Sequence, residues 1–319
     1  MPDRHSKRLK ILTWHVHGNY LYYVSQAPPD FYIVTKPGNP PGYAGAGGVL
    51  PWGANVIEVP YDAVATQQFD CVLYQHHIHY ETDRLTLLTP AQRHLPTIFI
   101  EHDPPQSHPT DTVHCMQEPN GLLVHVTHFN KLMWDAGVTP THVIEHGVLV
   151  PEHVRCTGEL ARGITVINHL RQRGRRLGAD IFEFVQSRVP LDLVGMDAES
   201  AGGIGEISNI ELAGFSAPYR FFFNPIRYTS LGLSVVEAMM IGLPVIGLAT
   251  TELATVIING QNGFLSNEPQ ALVDVMHRLL ADPEKAKQWG DGARETAHER
   301  FGISRFAREW DETLRQMCL

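Results

Sequence analysis

Short apolar runs alternate with helical patterns along the chain, as in a parallel sheet covered by helices. In the first half the runs predict strands at Leu9–Trp14, Phe31–Thr35, Asn55–Val59, Cys71–Tyr74, Thr97–Ile100 and Gly121–Val126. The segment THFNKLMWDAG reads as a helix, with Thr127 near its N-cap and Gly137 past its end. HVIEHGV returns as a strand closed by a glycine turn. Pro151 to Arg162 is polar and aperiodic, with Pro151 and Gly158, and reads as a linker. The pattern restarts with GITVINHL, PLDLVGM, YRFFFNP and PVIGLA as strands separated by helical stretches, and after Asp282 the chain reads as helical to its end. Two α/β halves joined by a linker imply a cleft, with ligands beyond the carboxyl ends of the strands.

The segment FNPIRYTSLGLSVVEAMMIGLPVIGLA reads as strand, loop, helix, strand. Its helix begins near Ser230–Gly232 and runs to Ile241, where Gly242 caps it and Pro244 enforces the stop. In the first turn, Ser230-Leu231-Gly232-Leu233, glycine permits close approach of a ligand, and the free N–H groups suit a diphosphate. Such turns are widespread in α/β proteins. Glu237 is more specific, because its helical-face neighbours are Leu233, Ser234, Met240 and Ile241. A carboxylate in that setting is partly buried and needs donors. Two ribose hydroxyls would supply them. A neighbouring backbone amide or arginine would do so equally, and both readings stand on these residues alone.

After the strand GITVIN comes a basic run with Arg171, Arg173, Arg175 and Arg176. A departing diphosphate needs positive charge, and guanidinium matches phosphate oxygens; the plain alternative is a solvated helix start. In the first half, histidines gather at three expected strand ends: His15 and His17, then His76, His77 and His79, then His102 with Asp103. They suit a metal site, an acceptor pocket or ordinary loop lining. The HxH and HHxH spacings lack the i,i+4 geometry of a helical zinc motif.

At 319 residues, 43% of them apolar, the chain has room for two domains with cores. Lys plus Arg number 25 against 34 Asp plus Glu, a net −9, which argues against non-specific nucleic-acid binding. No run approaches the ~18 apolar residues of a membrane span. The start, MPDRHSKRLK, lacks a signal-peptide core. The four cysteines form no CxxC pair, so free thiols in a reduced, cytoplasmic compartment are expected.

The residues Pro225, Gly232, Leu233, Glu237, Ala238, Met239, Gly242, Pro244, Val245, Gly260 and Gly263 resemble, in order and spacing, the C-terminal signature of glycosyltransferase family 4. The resemblance implies an α/β GT-B fold: two Rossmann-like domains facing each other across a cleft. It implies an acceptor domain over 1–158, a donor domain over 159–300 and a helix, 301–319, crossing back to the first. It further implies a retaining transfer from a nucleotide-diphosphate sugar (UDP-, GDP- or ADP-linked) to a small-molecule, glycan or lipid acceptor, with no metal or other cofactor required.

By the same resemblance Glu237 holds the ribose, while Ser230, Leu231, Gly232 and Leu233 hold the diphosphate. Gly18, Asn168, Gly195, Arg171 and Arg176 join the nucleotide-sugar contacts. The catalytic set is His102 near the transferred sugar, Arg173 at the family's lysine position and Thr229, where the family has a glutamate facing the sugar. THFNK resembles the family's domain-junction segment and adds Thr127 and Asn130 as cleft residues. Two rival readings remain: a metal-dependent hydrolase using the histidine clusters, and a non-catalytic nucleotide-sugar-binding relative, suggested by Thr229.

Overall fold

The computed structural model describes residues 8–16 and 18–318. The expectations for MPDRHSK and for His17 lie outside the described residues. The chain divides into two units, one of residues up to Gly147 together with Ile303 onward, the other Val148–Gly302.

The first unit is built on seven parallel strands: β1 (Lys10–Thr13), β2 (Asp30–Thr35), β3 (Val56–Pro60), β4 (Cys71–Tyr74), β5 (Thr97–Glu101), β6 (Leu122–His125) and β7 (Thr141–Val143). Their spatial order is β3-β2-β1-β4-β5-β6-β7. That is the doubly wound order with a seventh strand added. The inner strands read as unbroken apolar runs because helices cover both faces; all four residues of β4 are buried. Helices α1 (Gly18–Val24), the short α2 (Arg84–Thr86) and α3 (His128–Met133) follow β1, β4 and β6.

Thr127 caps α3 as expected, its Oγ1 accepting from the Asn130 amide at 3.0 Å. The helix ends at Met133, short of Gly137. Trp134 turns extended there, donating from its indole to the Asp103 carbonyl at 2.8 Å, and Asp135 pairs with Val113. Tertiary bonds override the helical pattern at this point.

The second unit has five parallel strands: β8 (Leu160–Val166), β9 (Leu191–Val194), β10 (Tyr219–Asn224), β11 (Val245–Gly247) and β12 (Gly263–Leu265), in the order β12-β11-β10-β8-β9. Its helices are α4 (Leu170–Arg173), α5 (Ala179–Gln186), α6 (Asn209–Ser216), α7 (Leu233–Ile241), α8 (Leu253–Val256), α9 (Pro269–Ala281) and α10 (Pro283–Phe301). Strand β10, YRFFFN, is buried at every position because it runs between β8 and β11. Helix α7 ends at Gly242, whose φ of +94° is the left-handed cap that the sequence pattern requires.

The expected linker is not a free segment. Between Pro151 and Gly158 the chain is tied down by Cys156 N–H to the Ile241 carbonyl (2.7 Å) and Thr157 N–H to the Ala217 carbonyl (2.8 Å), and β8 already begins at Leu160.

Helix α11 (Ile303–Cys318) belongs to the first unit. Phe306 and Trp310 are fully buried, and the Phe306 ring meets Tyr20 of α1 edge-on at 5.7 Å. Arg305 fastens it through bonds to the carbonyls of Glu145 (2.9 Å) and His146 (2.5 Å). None of the four cysteines is in a disulfide.

Candidate functional site

In open parallel sheets the ligand crevice lies beyond the carboxyl ends of the strands, where the strand order reverses. In the second unit that point falls between β8 and β10. The segments leaving those strands are Ile167–Arg176 and Pro225–Gly232.

Direct bonds join these segments. The Arg176 carbonyl accepts from the amides of Arg227 (3.0 Å) and Tyr228 (3.3 Å). Asn168 Oδ1 accepts from the Met196 amide at 2.9 Å, drawing in the turn after β9. Gly195 in that turn has φ +138°, and a Cβ there would stand 2.5 Å from the Ile167 carbonyl oxygen. Only glycine fits. The Ser234 hydroxyl donates to the Val166 carbonyl at 3.4 Å, setting the start of α7 against the end of β8. Asn168, Gly195, Arg176 and residues 225–234 are thus brought together at one edge of the sheet.

Helix α7 carries no side-chain N-cap; its first turn closes through the Val235 and Val236 amides, both donating to the Gly232 carbonyl (3.1 and 3.4 Å), and the positive end of the helix favours an anion. Gly232 precedes it with φ −66° and ψ 134°, a backbone any residue adopts. The nearest atom to an added Cβ is Ser234 Oγ at 3.6 Å, an ordinary contact. Nothing among the described residues therefore requires glycine at 232; a ligand seated against the turn would. Glu237 lies one turn on, half-buried, the lone charged residue of α7, with Val235, Val236 and Ala238 to Ile241 buried around it. Thr229 is half-buried in the loop before the helix.

The four arginines separate by partner. Arg175 pairs with Asp180 at 2.6 Å, and Arg171 donates to the Ser200 carbonyl at 2.6 Å. Arg173 is exposed at the end of α4. Arg176 is half-buried and tied through its backbone to the 227–228 loop. The same loop contains Arg227, which the sequence reading did not single out. Its guanidinium holds Asp180 through two bonds, at 2.5 and 2.8 Å, and keeps that carboxyl below the usual carboxylate range. A lone arginine after a strand-ending proline was the only signal for it. Glu252, just before α8, makes no side-chain cap bond; its buried carboxylate accepts from Thr255 (2.7 Å) and Arg300 (3.2 Å).

In the first unit the order reverses between β1 and β4. Gln75 Nε2 donates to the Trp14 carbonyl at 2.8 Å and locks those two strand ends together. Gly18 is exposed at the start of α1, its carbonyl 3.3 Å from His15 Nε2. His102, just past β5, meets Tyr20 of α1 edge-on at 4.6 Å. Gly18 and His102 therefore lie at the same edge of this sheet. Thr127 and Asn130 are buried at the start of α3, occupied with capping it.

The described histidines of these clusters form no ligand set. Among the described residues no group of three or more His, Cys, Asp or Glu is placed to hold a metal ion. His15 Nδ1 bonds the Gly45 carbonyl at 2.7 Å, His77 pairs with Glu81 at 3.2 Å, and His79 stacks on Trp14 at 5.1 Å. His79 sits in a helical turn, His79–Asp83, rather than at a strand end. Burial pushes its imidazole down to about 3 and keeps it neutral. The rival metal-dependent hydrolase thus has no ligand set among the described residues. A feature missed in the sequence is the glycine- and proline-rich loop after β2. It folds back over His15, whose ring meets Trp52 edge-on, and places Lys36 Nζ 3.6 Å from the Tyr43 ring centre.

Residues 207–296 match the family model for glycosyl transferases group 1. The D-inositol 3-phosphate glycosyltransferase of Xylanimonas cellulosilytica is 37% identical over 95 residues, 29% of this chain and 21% of that protein. The aligned stretch thus spans about a fifth of the relative's length. Sucrose-phosphate synthase from Thermosynechococcus elongatus superposes with a TM-score of 0.71 at 16% identity, over 97% of this chain and 99% of that one. Anabaena HepE, solved in complex with UDP, superposes with a TM-score of 0.68 at 14% identity, over 97% of this chain and all of that one (100%). The fold is GT-B, and its second unit carries the group 1 signature.

Proposed function

We propose that this chain, with a GT-B fold and the group 1 glycosyltransferase signature on residues 207–296, transfers a sugar from a nucleotide diphosphate to an acceptor with retention of configuration. The observation that carries the reading is the uncapped start of α7 behind Gly232, a glycine the protein itself does not need, with Glu237 one turn further on. The diphosphate sits on the amides of Ser230–Leu233 and the ribose bonds Glu237. Asn168 and Gly195 shape the adjoining turn.

Among the arginines, Arg176 is the best placed for the phosphates. Arg171 and Arg175 are engaged with Ser200 and Asp180, and Arg173, the family's lysine position, lies exposed at the end of α4. Thr229 faces the donor sugar with a hydroxyl in place of a carboxylate. The acceptor, a small molecule, glycan or lipid, enters from the first unit near Gly18 and His102.

In the reaction the bond from the anomeric carbon to the diphosphate oxygen breaks and the acceptor oxygen bonds the same face. The acceptor proton passes to the departing phosphate, and a nucleoside diphosphate leaves. Donors at the helix start and the arginine stabilise the charge developing on that phosphate. No side-chain nucleophile takes part. A UDP-sugar is the favoured donor, on the analogy of HepE, solved with UDP. A cytoplasmic location is part of this reading, in keeping with four cysteines that form no disulfide; no helix among the described residues is long and apolar enough to cross a membrane.

A thermal-shift panel of UDP-, GDP- and ADP-sugars, followed by a donor-turnover assay, tests this reading. One nucleotide class should stabilise the protein and be hydrolysed slowly without acceptor. Binding without turnover across many acceptors would favour the non-catalytic relative, and binding of none would end the reading.

A further inference from the structure

At the opposite edge of the second sheet, where its strands begin, lies a cavity of about 420 Å³. It opens between the segment before β8, the end of α7 and the first turns of α10. Four cations line it, Arg155, Arg220, Lys287 and Arg294, against one carboxylate, Asp291. That carboxylate is already paired with Lys287 at 2.7 Å. The local balance is four minus one, or +3, in a chain whose net charge is −9.

The three arginines have no carboxylate partner among the described residues. Arg220 is 8% exposed, and its guanidinium bonds only carbonyls: Gly158 at 2.7 Å, Leu280 at 3.1 Å and Leu279 at 3.2 Å. Arg294 donates to the Met240 carbonyl at the end of α7, and Arg155 to the carbonyls of Glu152 and Val154. A buried cation without a counter-ion is costly, and like charges facing one cavity add to the cost. Burial, with the Arg155 charge nearby, lowers the Arg294 affinity for its proton. An anion in the cavity would offset the charge of buried Arg220 and the crowding of Arg294 by Arg155.

Guanidinium clusters select phosphate over weaker acceptors. The cavity also exceeds the needs of a lone ion and falls within the range of small-molecule sites. Ile241, Pro283 and Ala286 give it an apolar wall. We propose that this cavity binds the phosphate group of a small phosphomonoester, at a site distinct from the donor crevice and at the other end of α7.

Calorimetric titration of the full chain with inorganic phosphate and with glycerol 3-phosphate tests the assignment. Arg155 is exposed and bonds only nearby carbonyls, so Arg155→Glu should fold normally and keep its melting midpoint. Its affinity for glycerol 3-phosphate should fall by at least about tenfold, as should that of Arg294→Gln. Arg176→Gln, at the donor crevice, should bind as the wild type does. Glycerol 3-phosphate should bind more tightly than inorganic phosphate. Unchanged affinity in Arg155→Glu, loss confined to Arg176→Gln, or equal affinity for the two probes would overturn the proposal.

Discussion

Replacing Gly232 by alanine separates a ligand requirement from a folding requirement. The backbone there, φ −66° and ψ 134°, accepts a side chain, and the added methyl meets nothing closer than 3.6 Å. Restricting the unfolded chain stabilises by about 0.4–1 kcal/mol. Losing glycine at an N-cap costs up to about 1 kcal/mol. The two nearly cancel, so folding stability should stay within about 1 kcal/mol of wild type. Binding should not be spared, because the methyl stands where a phosphate must approach the amides of the first turn. Losing one charge-assisted bond costs about 1.5–3 kcal/mol, a roughly 10- to 150-fold weaker affinity. Denaturant titration measures the first quantity and calorimetry with UDP, GDP and ADP the second. Gly195→Ala is the contrast: with φ +138° and a carbonyl 2.5 Å from its Cβ, it should lose at least about 1–3 kcal/mol of stability. A Gly232→Ala protein that folds normally and binds nucleotide unchanged would refute the placement of the diphosphate at this turn.

Two further outcomes are expected. Thr229→Glu should change donor preference or turnover in a steady-state assay with several sugars; no change with any donor would mean the position does not face the sugar. His125→Leu should reduce acid sensitivity. Both ring nitrogens of His125 are buried without a hydrogen bond, and burial, helped by His114 and Lys131, pushes its pKa to about 3. The unfolded imidazole protonates below about 6.5 while the folded one stays neutral. The stability it supports is therefore full above pH 6.5 and falls by about 1.4 kcal/mol per pH unit as the pH drops from 6.5 toward 3. Unfolding midpoints at pH 7.5 and pH 5 should converge in the variant, and an unaltered pH slope would contradict this.

Elements whose pattern comes from sheet burial were legible. The run FFFN of β10, the helix to Ile241 and its Gly242 cap all follow from apolar spacing and one left-handed glycine. What was not legible depended on distant partners. The stop of α3 at Met133 rests on Trp134 bonding Asp103. The segment after Pro151 lacks periodicity because its order comes from carbonyls at Ala217 and Ile241, not from a regular element. The histidines looked like one population along the chain, yet folding makes His125 and His79 neutral core residues and leaves His77 exposed beside Glu81. Likewise, four similar arginines divide by Asp180 and the Ser200 carbonyl, partners that spacing does not reveal.

The central claim is that Glu237 and the start of α7 hold a nucleotide. Calorimetric titration of UDP, GDP and ADP into the wild type and Glu237→Ala tests it most directly. One nucleotide should bind the wild type, and the variant should bind it at least about tenfold more weakly while still unfolding in one cooperative transition. Equal affinity in the two proteins, or no binding of any nucleotide to the wild type, would contradict it.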